Sequence, residues 1–158
     1  MEFVCILSNR KTSETRNIKK YSCEPDEITI VHELIKEKLI KDIEDNPSII
    51  DINDPIDIKS IYRENLVNGN NFIDLVAKTK DEKIIFFEIK TSQDPRLCIR
   101  QVLGQLMEYA YYPNVKHADK LVIVGPFPGN GDKKKYIKKI NQDFNLDLQY
   151  LPCTNFLK

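Results

Sequence analysis

Lys83-Ile-Ile-Phe-Phe-Glu-Ile-Lys90 is the stretch that decides how this chain folds. Ile84 to Phe87 is an unbroken apolar run of β-branched and aromatic residues. Such a run reads as a central strand buried on both faces. Side chains alternate along a strand, so Glu88 and Lys90 share one side while Ile89 points to the other. A carboxylate and an ammonium at the edge of a core are costly to desolvate unless they pair or bind something. The pair is therefore either a salt bridge where the strand reaches solvent or part of a site.

Working upstream, Thr79-Lys-Asp-Glu82 reads as a hairpin turn that joins the central strand to another over Phe72 to Lys78. Asn68-Gly-Asn-Asn71 is a further turn signal, preceded by a strand over Ile61 to Val67. Asp26 is a candidate N-cap for a helix from about Glu27 to Asp45, which Asn46-Pro47 ends. Its apolar positions Ile28, Val31, Leu34, Ile35, Leu39 and Ile43 follow helical spacing. Residues 1–7 read as a short strand and residues 8–26 as a polar loop or appended arm. Residues 47–60 are acidic and read as a solvated connection. Their Asp51, Asp54 and Asp57 lack the glycine and closing glutamate of a calcium loop.

Downstream, Pro95 suits the first turn of a helix that runs to about Tyr112, where Pro113 stops it. Leu121 to Val124 is a short apolar strand, Lys133 to about Phe144 a basic helix, and Leu146 to Leu151 a last strand. A β-α-β-α-β tail implies right-handed crossovers and parallel pairing. The expected fold class is α/β, a mixed central β-sheet flanked by helices on both faces. Residues 1–26 would be an N-terminal strand or arm, and residues 27–158 the folded domain.

The length of 158 residues suits one domain, and 41% hydrophobic with 30% charged residues is ordinary for a soluble globular protein. The formal net charge of zero means that any polyanion-binding surface must come from local charge segregation. No apolar run approaches a membrane span, and the N-terminus has no basic segment of a signal peptide. Cys5, Cys23, Cys98 and Cys153 are scattered and read as reduced thiols, which points to the cytoplasm. His32 and His117 stand isolated and read as neither ligand nor base.

Asp74 lies on the strand before the central one, a tight turn away, so it can approach Glu88 across the pair. Two close carboxylates repel unless a cation sits between them. Magnesium resolves this with one or two carboxylates, waters and a phosphate. Lys90 would face the same pocket, where it could orient or deprotonate a water or stabilise charge on a phosphate. On the following helix Gln101, Gln105 and Tyr109 recur at i, i+4 and i+8 and share one face, with Tyr112 close by. Leu97, Val102, Leu103 and Leu106 form the opposite, core-facing stripe. Taken singly, Asp74 reads as a strand-edge acid paired with a lysine, and the glutamine stripe as a polar helix face.

Taken together, Asp74, then Glu88-Ile-Lys90, then Gln105-Leu-Met-Glu-Tyr109 resembles the PD-(D/E)XK nuclease superfamily, the restriction-endonuclease-like fold. It is similar in particular to the branch with a QxxxY motif, over about residues 27–152. The resemblance implies a metal-dependent endonuclease or exonuclease acting on DNA, in restriction, defence or repair. It implies Mg2+ as cofactor, with Mn2+ as substitute, held by Asp74, Glu88 and the backbone carbonyl of Ile89. Lys90 would be the catalytic lysine, and Gln105 and Tyr109 would contact the scissile region or support that lysine. An acid on the first helix often faces the metal in this family; Glu33 is the first candidate and Glu37 the second. Ile73 stands where the motif's name has proline, and the chain carries no recognisable sequence-reading module.

Residues 94–139 of the second half carry Arg96, Arg100, Lys116, Lys120, Lys133, Lys134, Lys135, Lys138 and Lys139 against Asp94, Glu108, Asp119 and Asp132. That excess is either a polyanion-binding face or a solvated one. Two rival readings stand beside the nuclease. One is an inactive nuclease-fold module that binds nucleic acid or assembles within a larger complex. The other is an ordinary α/β protein in which Asp74 and Glu88 do not converge. DNA strandedness is open, as are a homodimer and a larger complex; no membrane partner is expected.

Overall fold

The computed structural model describes residues 27–50, 56–67 and 71–154. The expected N-terminal strand and arm, Cys5, Cys23, the Asp26 cap, Asp51, Asp54 and most of the 68–71 turn lie outside those residues. Helix α1 spans Glu27–Asp45, and a short 3-10 turn follows over Pro47–Ile49. Strands β1 (Ile58–Val67), β2 (Asn71–Thr79) and β3 (Ile84–Ile89) come next. Helix α2 (Pro95–Tyr111), strand β4 (Lys120–Gly125), helix α3 (Gly131–Phe144) and strand β5 (Leu148–Pro152) complete the order.

The five strands form one sheet in the order β1-β2-β3-β4-β5. The first three pair antiparallel, and β3, β4 and β5 pair parallel. This is the mixed sheet that the element order implies, and β3 lies at its centre. The sheet is longer on one edge than the composition suggests. β1 begins at Ile58, inside the stretch read as a solvated connection, because Ile58 pairs with Thr79 across the sheet.

Alternation along β3 sends its side chains to two separate cores. Ile85, Phe87 and Ile89 pack with Ile35, Leu39 and Ile43 of α1 on one face. Phe86 packs with Ile99, Val102 and Leu106 of α2 on the other, where Ile140 of α3 joins them. Burying one such large apolar side chain is worth about 1.5–3 kcal/mol. A continuous apolar strand is therefore stable only where both faces are covered, which is what the two helical layers provide.

Local signals place the helix ends. The Asp94 side chain accepts the backbone N–H of Arg96 at 2.9 Å, and Pro95 fills the first helical turn of α2. Asn130 caps α3 by accepting from the Lys133 amide, and Asn145 closes it in the left-handed conformation at φ 51°. The β2–β3 turn is tied by Thr79, whose hydroxyl accepts the Lys83 amide at 2.9 Å. Among the described residues no helix is long and apolar enough to cross a membrane.

Strand β2 does not alternate strictly. Ile73 and Leu75 are two apart, yet Ile73 packs in the α2-side core and Leu75 in the α1-side core. The register pairs Arg63 with Leu75 and Asn65 with Ile73, which leaves Glu64 facing Asp74. Glu64 holds φ at 46°. A left-handed non-glycine residue inside a strand costs about 1–3 kcal/mol, and such strain collects at functional sites.

Candidate active site

The ladder of β2 with β3 ends at Leu75 and Phe87, so the next residues in register are Asp74 and Glu88. Asp74 occupies the end of that ladder. Its Oδ2 accepts the backbone N–H of Ile89 at 2.8 Å and lies 3.2 Å from His32 Nε2. Burial pushes the Asp74 carboxyl up. The hydrogen bonds from His32 and the Ile89 amide, with the charges of His32 and Lys36, more than reverse this and hold it below the usual aspartate value.

Glu88 has the opposite balance. It is 3% exposed, on the α2 side of β3. Burial and the nearby Asp74 charge raise its carboxyl above the ordinary glutamate value, against the pull of Lys90 and Gln105. Its Oε1 accepts from Lys90 Nζ at 2.8 Å, while its Oε2 is buried with no hydrogen-bond partner. An orphaned carboxylate oxygen beside a second carboxylate is the arrangement that a cation relieves.

Lys90 stands just past the end of β3, where the ladder to β4 still holds it: its N–H donates to the Val124 carbonyl at 2.9 Å. Its ammonium also donates to Gln105 Oε1 at 3.4 Å, and Gln105 Nε2 donates to Tyr109 Oη at 3.0 Å. Both ends of the Gln105 amide are thus engaged, and Lys90 is tied to both Glu88 and α2. The structure brings Asp74, Glu88, Lys90, Gln105 and Tyr109 into one contiguous group.

Two expectations about α2 need correcting. Tyr109 does not lie on an open polar face. Its ring belongs to the α2-side core and only its hydroxyl reaches Gln105, because a helix face that begins polar at exposed Gln101 rotates inward along the sheet. Tyr112 caps the helix through its N–H to the Glu108 carbonyl and is 61% exposed, outside the core that holds Tyr109.

The structure separates the two helical candidates by their partners. Glu33 accepts from Lys36 Nζ at 2.7 Å and lies 3.5 Å from His32 Nδ1, beside Asp74's partner. Glu37 is held instead by the Arg63 guanidinium through both carboxylate oxygens. The residue that sequence reasoning missed is His32. It and Lys36 are one turn apart and line up with Ile40 and Ile43 of the buried stripe. Polar side chains inside an apolar helical stripe were the available signal. The acceptor contact with Asp74 raises His32 above its ordinary value in spite of burial.

A cleft of about 470 Å³ opens at the opposite end of the sheet, beside Lys80, Lys83 and Lys116. These lysines are paired with Asp57, Asp81 and Asp119, so the cleft offers no concentrated charge. Toward the candidate site, Lys133 reaches Asp94 at the start of α2, and Arg96 is 72% exposed there.

No protein-family model matches the chain, and no curated protein matches it. Among solved structures it is similar to EndoMS in the EndoMS–dsDNA2 complex, at 18% identity and a TM-score of 0.44, over 75% of this chain and 44% of that one. It is also similar to a repair endonuclease from Pyrococcus abyssi, at 20% identity and a TM-score of 0.40, over 84% of this chain and 49% of that one. The chain spans less than half the length of either. With both scores below 0.5, the site's own geometry carries the functional reading.

Proposed function

We propose that this chain is a metal-dependent nuclease of the restriction-endonuclease-like class, hydrolysing phosphodiester bonds in DNA. The observation that carries the reading is Glu88: a buried carboxylate with an unpartnered oxygen, next in register to Asp74 and bonded to Lys90. Two acids and a lysine grouped in this way suit a hard divalent cation and a phosphate better than they suit a packed core. The match of these residues and Gln105 and Tyr109 to the motif supports the substrate class.

Asp74, Glu88 and the Ile89 carbonyl would hold Mg2+, or Mn2+ in its place. Such an ion, when bound, polarises the phosphate and lowers the pKa of a water. Lys90 supplies the ammonium that orients the attacking water or stabilises charge on the phosphate oxygens. Gln105 fixes Lys90 at the mouth of the sheet, and Tyr109 anchors Gln105 from the core. His32 holds the Asp74 carboxylate, and its imidazole is itself a metal-ligating group.

One observation favours the rival reading of an inactive nucleic-acid-binding module. Among the described residues no three His, Cys, Asp or Glu side chains gather as a metal-holding group. Cleavage of supercoiled plasmid, linear duplex and single-stranded DNA with Mg2+, Mn2+ or EDTA decides between the two. Metal-dependent cutting that Glu88→Ala abolishes is the expected result. Absence of cutting on every substrate, with no heat of metal binding, establishes the rival.

A further inference from the structure

Gly104 lies in the interior of α2, and nothing in the fold calls for glycine there. It is exposed, its φ is not left-handed, and a Cβ built on it would meet nothing within 4 Å. Alanine would hold the helix better, because glycine loses more backbone freedom on folding. The notch it leaves opens outward, where only something outside the chain can use it. Around the helix, Gly104 falls between Arg100 and Gln101, one turn C-terminal to them. Both are exposed, and Arg100 forms no ion pair among the described residues. The next residue, Gln105, accepts from the Lys90 ammonium, which also donates to Glu88. The second oxygen of that carboxylate is buried with no hydrogen-bond partner. Glu108, exposed one turn after Gly104, closes the notch to an anion on its C-terminal side. The notch therefore joins an exposed guanidinium to the candidate site, with amide groups between them.

We propose that the phosphate backbone of bound DNA crosses α2 at Gly104, against the helix backbone, and runs from Arg100 to the Glu88–Lys90 site. The inference rests on the nuclease reading and deepens it, because it names the path of the strand that is cut. Arg100 supplies a fork of donors that matches a phosphate. Gln101 donates an amide N–H to a neighbouring phosphate or sugar oxygen. The missing side chain lets the strand lie a methyl group closer to α2, so that the next phosphate reaches Lys90. A side chain at this position holds the strand off the helix. A misplacement of about 1 Å can cost about 100-fold in rate.

The test sets stability against cleavage. Gly104→Ala is expected to raise the urea midpoint and to bind Mn2+ as the wild type does. It is expected to cut supercoiled plasmid more slowly by about tenfold or more, and Gly104→Leu more slowly still. Arg100→Gln is expected to weaken binding of a labelled duplex oligonucleotide, followed by fluorescence anisotropy with Ca2+ in place of Mg2+. It should also lower the slope of log affinity against log salt by about one. Wild-type cutting by Gly104→Ala, or an unchanged salt slope in Arg100→Gln, would overturn the inference and leave the nuclease reading standing. A lower urea midpoint in Gly104→Ala would overturn it too, since the glycine would then serve the fold. So would a wild-type dimer that Gly104→Ala dissociates with duplex affinity unchanged, which would assign the notch to a second copy of the chain. Absence of metal-dependent cutting by the wild type would instead remove the nuclease reading on which it rests.

Discussion

The Asp74 carboxylate accepts the backbone N–H of Ile89 at 2.8 Å, one residue beyond Glu88 on the neighbouring strand. A side chain thereby satisfies a backbone donor where the β2–β3 ladder stops, and the same oxygen lies 3.2 Å from His32. Asp74 is consequently both a structural tie and a charged member of the site. The two roles can be separated. Asp74→Asn keeps an acceptor for the Ile89 amide and removes the charge. It should fold normally and lose about 100-fold or more in cleavage rate, the scale of a lost electrostatic contributor. Asp74→Ala strands a buried donor as well and should cost about 1–3 kcal/mol, read from urea denaturation. The wild-type carboxyl lies below its ordinary 3.8, so its stabilisation is present above that pH and is lost as pH falls below it. Asp74→Asn should lack that part of the acid limb.

Glu88 should behave in the opposite sense. Its carboxyl is raised above 4.5 by burial and by Asp74, so the folded protein binds its proton more tightly than the unfolded chain does. Stability from this group is full below pH 4.5 and declines as pH rises through the raised value. In EDTA at neutral pH, Glu88→Gln should therefore be more stable than the wild type, read from urea denaturation. The same substitution should abolish cleavage. Metal affinity in the wild type should climb as pH rises through the same interval, because the ion must displace the Glu88 proton. Calorimetric titrations between pH 4.5 and 7 check both halves; a metal affinity flat across that interval would contradict them.

Tyr109 joins core and site through one atom. Tyr109→Phe leaves the buried ring and deletes the acceptor for Gln105, so it should cost about 0.5–1.5 kcal/mol. Gln105, which accepts from the Lys90 ammonium, then loses its far anchor, and a rate loss of about tenfold is expected with KM little changed. Tyr109→Ala empties a ring-sized space among Ile99, Val102 and Leu106 and should cost about 3–5 kcal/mol. Similar stability losses in the two variants would mean that the hydroxyl, not the ring, carries the residue.

Much of this arrangement can be read from local pattern. The apolar run Ile84–Phe87 identifies the central strand, Pro95 and Pro113 bracket α2, and the spacing of Gln105 and Tyr109 places them one turn apart. What local pattern cannot supply is contact between distant elements. His32 and Asp74 are 42 residues apart and meet only because α1 packs on the β3 face of the sheet. The side switch at Ile73 is likewise invisible, since strict alternation would put Ile73 and Leu75 in one core. It coincides with the left-handed Glu64 on the facing strand, and no glycine marks that position. The acidic stretch before β1 shows the complementary failure: exposed charge at Asp57 and Lys59 conceals a strand held by Ile58 pairing with Thr79.

Gly125 tests how tightly the strand end beside Lys90 is packed. It is the last residue of β4, one beyond the Val124 carbonyl that holds the Lys90 amide. A methyl group placed on it would collide with Tyr150 Oη and sit 3.1 Å from Cys98 Sγ. The tyrosine cannot swing aside freely, because its hydroxyl donates to the Phe127 carbonyl at 2.7 Å. Gly125→Ala should therefore destabilise by about 1–3 kcal/mol through overpacking. Tyr150→Phe removes the colliding oxygen and, by itself, should cost about 0.5–1.5 kcal/mol for the lost hydrogen bond. The double variant should be more stable than the sum of the single losses predicts, because the alanine then meets only a ring edge. A urea-denaturation cycle over the four proteins measures that coupling. Strict additivity would show that the strand end relaxes away from the methyl group, and the Lys90 amide contact should then weaken in hydrogen exchange.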